Sequence, residues 1–202
     1  RDGRAVGTVE TSDVTDDDVK RMMVGREMSG DYYRVDEEEI YEDEVVFSFD
    51  HVSTNTGLKD VSFEVHKGEI LAFCGLSDSG IHDVGQAYGL VKPTSGKVLL
   101  NAENLEIEDA MFSLKHRIAY VPKDRDEEAL MMATTIQNNF CVPSLEEISK
   151  KFGYVSAKEM REMADKAKKE YQVKCTSVNQ NMNGLSGGNK QKVNLGRWLL
   201  KD

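Results

Sequence analysis

The stretch that decides the reading is LSGGNKQKVNLGRWLL, residues 185–200. A serine and two glycines lead through a polar, basic run into residues 193–200, which have the character of a helix. Backbone amides at a helix start, with the positive end of the dipole behind them, favour an anion such as phosphate. Gly187 and Gly188 carry no Cβ, so a bulky anion can approach the backbone there. Ser186 adds a hydroxyl donor. The same residues also suit a plain helix start with Ser186 as N-cap, and alone they leave both readings open.

Upstream stands a second strand–loop–helix candidate. Ile70-Leu71-Ala72-Phe73-Cys74 is apolar without alternation, the pattern of a strand covered on both faces. It runs into Gly75-Leu76-Ser77-Asp78-Ser79-Gly80 and then into a predicted helix from Ile81 to Leu90. A P-loop reads G-x-x-x-x-G-K-[ST], its amides surrounding phosphates, its Lys neutralising them and its hydroxyl ligating Mg²⁺. Gly75 and Gly80 have that spacing, but Ile81 occupies the Lys position and His82 the Ser/Thr position. Removing one partner of a close buried charge pair costs about 2–5 kcal/mol, and Asp78 adds an anion where anions should bind. His82 is read as an ordinary helix-start residue. As a catalytic loop this stretch is degenerate.

Composition sets the frame. The chain has 202 residues, a net charge of −10, 39% hydrophobic and 31% charged residues. That is enough for one medium domain with an appendage, and the acidic balance argues against a nucleic-acid binder. No apolar run reaches membrane-spanning length. Cys74, Cys141 and Cys175 lie far apart, fit a reducing compartment, and read as small core residues. The chain opens at Arg1-Asp2-Gly3-Arg4 without Met, as an excised piece would.

Along the chain, Thr15-Asp16-Asp17-Asp18 starts a short helix that Gly25 ends. From Asp36 to Glu44 seven of nine residues are acidic, a solvated linker. Val45–Phe49 and Val61–Val65 read as strands, Lys67-Gly68-Glu69 as a turn, and Lys97–Leu100 and Arg117–Val121 as further strands. Residues 144–171 form a helical insert with Gly153 as the main breaker. A final helix runs to Asp202. His51, His66, His82 and His116 all read as structural.

These segments resemble one family. LSGGNKQKV is similar to the signature of ABC transporter ATPases, above all the L-S-G-G-N-Q-Q-K-V form of monosaccharide importers. Lys67-Gly68-Glu69-Ile70 resembles the K-G-E-I ahead of the P-loop strand. Gly75 to Asp83 aligns with the G-L-x-G-A-G-R-T-E of the second ATPase domain of the ribose/galactose/xylose type, where Arg already replaces Lys. Ile118-Ala119-Tyr120-Val121-Pro122-Lys123-Asp124-Arg125 resembles I-A-Y-V-P-E-D-R of the Q-loop region. Arg1–Arg4 and Met22–Glu27 resemble the tail of a first ATPase domain and its linker.

The resemblance implies an α/β fold: a P-loop, ABC-type nucleotide-binding domain with an antiparallel β element and a helical subdomain, incomplete at its C-terminus. Residues 1–40 would be the end of a preceding ATPase domain and a linker. Residues 41–143 would hold the β element and the core with the degenerate P-loop, 144–182 the helical subdomain, and 183–202 the signature and its helix. Ser186, Gly187, Gly188 and Asn189 would hold the γ-phosphate of ATP bound by a partner domain. Gly75, Ser77, Asp78, Ser79, Gly80, Ile81 and His82 would form a degenerate nucleotide site, and Pro122, Lys123 and Asp124 the Q-loop region.

ATP and Mg²⁺ are the implied cofactors of the parent transporter. The first ATPase domain of the same polypeptide and transmembrane permease subunits are the implied partners, at the inner face of the cell membrane. Neither the Walker B carboxylates nor the switch histidine of the family occurs in the chain, so alone it is expected to be inactive. The central sheet would lack later strands and expose an edge. Two alternatives stand beside this reading: a nucleotide-independent docking module, and the ATPase of a nucleoside importer.

Overall fold

A computed structural model of the chain describes residues 4–25, 41–76, 79–103 and 105–201. They fall into two units that divide between Ile40 and Tyr41. Ser77 and Asp78, with the linker 26–40 and residues 1–3, lie outside the described residues.

In the first unit the helix α1 spans Asp16–Val24. Asp18 N–H donates to Thr15 Oγ1 at 3.3 Å, and Thr15 N–H donates to the Asp18 carboxylate at 3.0 Å. This reciprocal cap satisfies two amides the helix leaves open. Gly25 ends it at φ 81°, a left-handed conformation that favours glycine. The Asp16–Asp18 start and the Gly25 stop are those the sequence predicts. No residue of α1 is buried.

The second unit opens with an antiparallel sheet of β1 (Val45–Ser53), β2 (Val61–His66), β3 (Ser95–Leu100) and β4 (Leu105–Glu106), in the order β2-β1-β3-β4. Phe49 stands opposite Phe63 on one side and Val98 on the other. Its ring stacks on Phe63 at 4.5 Å, and Phe47 stacks on Tyr88 at the same separation. Val52, Leu58, Val84, Ala87 and Val98 complete this core. Each large apolar side chain so buried contributes about 1.5–3 kcal/mol. Two short helices flank it, α2 (Ile81–Gln86) and α3 (Ala110–Lys115).

A second core is helical. It gathers α4 (Ile136–Cys141), α5 (Leu145–Ile148), α6 (Ala157–Glu170) and α7 (Gly187–Leu199). Ile136, Phe140, Ala164, Ala167, Met182 and Val193 are completely buried in it. Gly196 makes the close approach possible: a Cβ there would stand 2.5 Å from the Tyr171 ring and 3.1 Å from Phe140. Asn139 holds the entry to α4, accepting from Met131 N–H at 2.8 Å and donating to Thr135 O at 3.0 Å.

Several predicted elements differ. Residues 70–74 are irregular rather than a buried strand, with Ile70 95% and Phe73 43% exposed. An apolar run becomes a central strand only when neighbours complete its ladder, and no described segment pairs with this one. Residues 117–121 likewise form no strand, and Arg117 starts them at φ 59°. The helix from Ile81 stops at Gln86 rather than Leu90, and Gly89 follows at φ 107°. The insert 144–171 is broken between Ile148 and Ala157, where Ser149 bridges Val155 and Phe152 turns at φ 64°. The final helix ends at Leu199, before the predicted Asp202. Cys74 is exposed, not a core residue, whereas burial pushes the Cys141 thiol up to about 11. His51, His66 and His116 pair with Asp60, Glu69 and Glu103. No helix among the described residues is long and apolar enough to cross a membrane.

Candidate functional site

The two predicted phosphate cradles differ at their described residues. At the loop after Cys74, Ser79 folds back on Leu76: its amide and its hydroxyl donate to the Leu76 carbonyl at 3.0 and 2.7 Å. The hydroxyl is thereby spent within the loop. Gly80 caps α2 in the left-handed region at φ 81°, and α2 is only six residues long. Ile81 is half-buried and His82 exposed. The Asp83 carboxylate lies 3.5 Å from where a Cβ on Gly80 would stand. No described residue places a cation at this loop in the position Lys would take. Among the described residues of this loop, none offers a phosphate a cation or a free hydroxyl donor.

The second cradle is built differently. Leu185 is buried in the helical core and anchors the chain, while Ser186, Gly187 and Gly188 are exposed. Ser186 is the N-cap of α7, yet its side chain caps no amide. Its Oγ instead accepts from Asn189 Nδ2 at 2.9 Å, which leaves the O–H free to donate. Asn189 Oδ1 accepts from Lys174 N–H at 2.8 Å. Asn189 thus braces Ser186 against the loop before it, and its side chain is positioned to orient rather than to bind. The first helical bond is Lys190 N–H to Ser186 O at 2.9 Å. The amides of Gly187, Gly188 and Asn189 precede it and point out of the helix without an intrahelical acceptor.

Neither glycine is needed by the backbone, since neither has a positive φ. A Cβ on Gly188 would meet nothing within 4 Å. Glycine in a helix costs about 0.5–1 kcal/mol relative to alanine. At Gly188 the missing side chain brings no gain in packing, whereas a Cβ on Gly187 would stand 3.1 Å from Arg125 Nη2. Three free amides, a free hydroxyl and an approach clear of Cβ atoms fit one terminal phosphate group.

The predicted Q-loop region leads into a turn that packs against this helix. Pro122 is buried, Lys123 exposed, and the Asp124 carboxylate caps the wide turn Arg125–Ala129 by accepting from Asp126 N–H at 3.0 Å and Glu127 N–H at 3.2 Å. Two side chains of α7 reach this turn. Lys190 Nζ meets Asp126 Oδ2 at 2.7 Å, and Arg197 donates to the Ala129 carbonyl. Lys190 and Arg197 are seven residues apart, hence on one helix face. Sequence reading missed both, although that spacing and their charge were visible. Burial pushes Arg197 below its ordinary value, and burial, then the nearby Glu128 charge, pushes Tyr120 up. An apolar cavity of about 230 Å³ lies between Tyr88, Leu114, Ile118, Tyr120, Arg197 and Trp198, and no residue of either cradle lines it.

An antiparallel β element, a glycine loop opening a helix, a helical subdomain and a Ser-Gly-Gly helix start define an ATP-binding cassette. Solved cassettes share this fold. A dimeric bacterial ABC transporter cassette superposes with a TM-score of 0.59 at 23% identity, covering 77% of this chain and 69% of that one. A nucleotide-free ATP-binding cassette from an ABC transporter gives 0.56 at 20% identity, over 78% and 65%. The ABC transporter family matches residues 58–202, and the chain belongs to that family. It is 34% identical, over 99% of its length, to a protein of Rhizobium meliloti (strain 1021) named as a ribose/galactose/methyl galactoside import ATP-binding protein. It is 36% identical over 99% of its length to one of the same name from Hahella chejuensis (strain KCTC 2396). The chain spans 39% and 38% of the length of these two relatives.

Proposed function

We propose that this chain is a nucleotide-binding cassette of a sugar importer, and that it lends its Ser-Gly-Gly signature to ATP held by a partner cassette. The observation that carries this reading is the contrast at Gly188. The glycine is unexplained by backbone or packing, and it stands among amides that have no other work. The names of the relatives support a ribose- or galactose-type substrate for the parent transporter. Their greater length leaves room for a first ATPase domain in the same polypeptide.

In this reading Ser186 Oγ and the amides of Gly187, Gly188 and Asn189 receive the terminal phosphate. Asn189 orients Ser186 through its side-chain bonds. ATP, with Mg²⁺, supplies the phosphoanhydride whose hydrolysis drives transport. The degenerate loop at Gly75–His82 contributes no phosphate site of its own, which makes the two nucleotide positions of the pair unequal. Permease subunits at the inner face of the cell membrane are the partners that would use the resulting motion.

The test is Ser186→Arg in the assembled transporter. A bulky cation at the N-cap blocks the amides, and removing such preorganised donors lowers turnover about 100-fold or more. ATPase activity at the parental rate would sink the reading. Transport retained alongside that rate would favour the nucleotide-independent docking module.

A further inference from the structure

We propose that Arg125 is a further ligand for the phosphate at the signature, and that Lys190, by sharing the Asp126 carboxylate, leaves the terminal nitrogens of Arg125 to the phosphate. The inference rests on reading Ser186–Asn189 as a phosphate site. It begins with a neighbour that sequence alone does not bring there. The Arg125–Ala129 turn is wound wide, with Leu130 N–H donating to Arg125 O at 2.8 Å. That turn sets Arg125 and Asp126 against the first turns of α7. Arg125 Nη2 lies 3.1 Å from the point where a Cβ on Gly187 would stand. A guanidinium therefore sits at the positive end of the helix dipole. Cations are unfavourable there and anions favourable, so the placement makes electrostatic sense once an anion joins the two.

The pairing of the charges supports the same view. Arg125 and Asp126 are adjacent and would neutralise each other if left alone. Arg125 Nε stands 3.4 Å from Asp126 Oδ1, too far for a good hydrogen bond, and is buried with no hydrogen-bond partner. Asp126 is shared: Oδ1 stays within ion-pair distance of Arg125 Nε, while Oδ2 makes the closer contact to Lys190 Nζ at 2.7 Å, and the Lys190 side chain is only 14% exposed. Lys190 stands where the importer signature quoted above has Gln, so the ion pair is a feature of this chain. With Asp126 engaged, the terminal nitrogens of Arg125 have no acceptor among the described residues. A planar guanidinium fork matches phosphate oxygens in a way that an ammonium does not.

The probe is inorganic triphosphate, titrated at low ionic strength, where screening is weak, into the isotope-labelled chain. The Gly187 and Gly188 amides are followed by nuclear magnetic resonance. Arg125→Gln is expected to weaken triphosphate binding at these amides about tenfold, the scale of one hydrogen bond to a charged group. Arg125→Lys recovers part of that loss. Lys190→Gln weakens binding as well, because Asp126 is then free to neutralise Arg125. Adding Asp126→Asn to Lys190→Gln restores it, and neither change matters in the Arg125→Gln background. Lys190→Gln compared with Lys190→Gln/Asp126→Asn, both with Arg125 intact, keeps the inference testable if Arg125→Gln does not fold. Equal binding by the parental chain and Arg125→Gln would overturn the role of Arg125 and leave the signature reading standing. Triphosphate that moves neither glycine amide in the parental chain would overturn both.

Discussion

Two glycine-bearing helix starts in one chain, residues 75–82 and 185–189, look alike in sequence and differ in every physical respect. At the first, Gly80 is required by the fold, because the N-cap of α2 sits at φ 81°. At the second, neither Gly187 nor Gly188 has a positive φ, and a Cβ on Gly188 would meet nothing within 4 Å. The hydroxyl of Ser79 is tied to the Leu76 carbonyl, whereas that of Ser186 is free to donate. An Asp83 carboxylate stands over the first and an Arg125 guanidinium over the second. A glycine that the fold needs says little about ligands. A glycine that it does not need says a good deal.

Glycine substitutions are the direct way to break this comparison. The largest effect belongs to a third glycine, in the middle of α7, where packing leaves no room. Gly196→Ala pushes a methyl into Tyr171 and Phe140 and is expected to destabilise the chain by about 1–3 kcal/mol in denaturant unfolding. An unchanged midpoint would mean that the helical core is looser than described. Next comes Gly80→Ala, which forces an L-residue into the left-handed region and is expected to cost about 1–2 kcal/mol. The smallest effect has the opposite sign. Gly188→Ala, at the second position of α7, is expected to stabilise the chain by less than the roughly 0.5–1 kcal/mol of a helix interior, while weakening phosphate contact at the signature. Destabilisation at Gly188 would show that the fold does need this glycine, and the contrast would dissolve.

The parts of the fold that were legible are those set by local chemistry. The Thr15–Asp18 cap, the alternation of Val61–Val65 and the Ser186 helix start depend on neighbours a few residues away. The misreadings fall where distant segments decide. Ile70–Cys74 has the composition of a buried strand, but a strand needs a ladder, and none among the described residues supplies it. Within the site, the residue types at 186–188 were readable from their chemistry. Arg125, Lys190 and Asp126 were not, because their meeting depends on how the 125–129 turn packs on α7, across more than sixty residues of chain. The tethering of Ser79 to Leu76 was equally invisible, since it is a property of loop conformation rather than of composition.

The proposed function has the glycine loop at residues 75–82 hold no nucleotide while the signature serves another domain. Calorimetric titration of the chain with Mg-ATP into the millimolar range tests it most directly. The account predicts no saturable heat from a site at residues 75–82. A saturable one-to-one isotherm that Ser186→Arg leaves intact and that Gly80→Ala abolishes would contradict it.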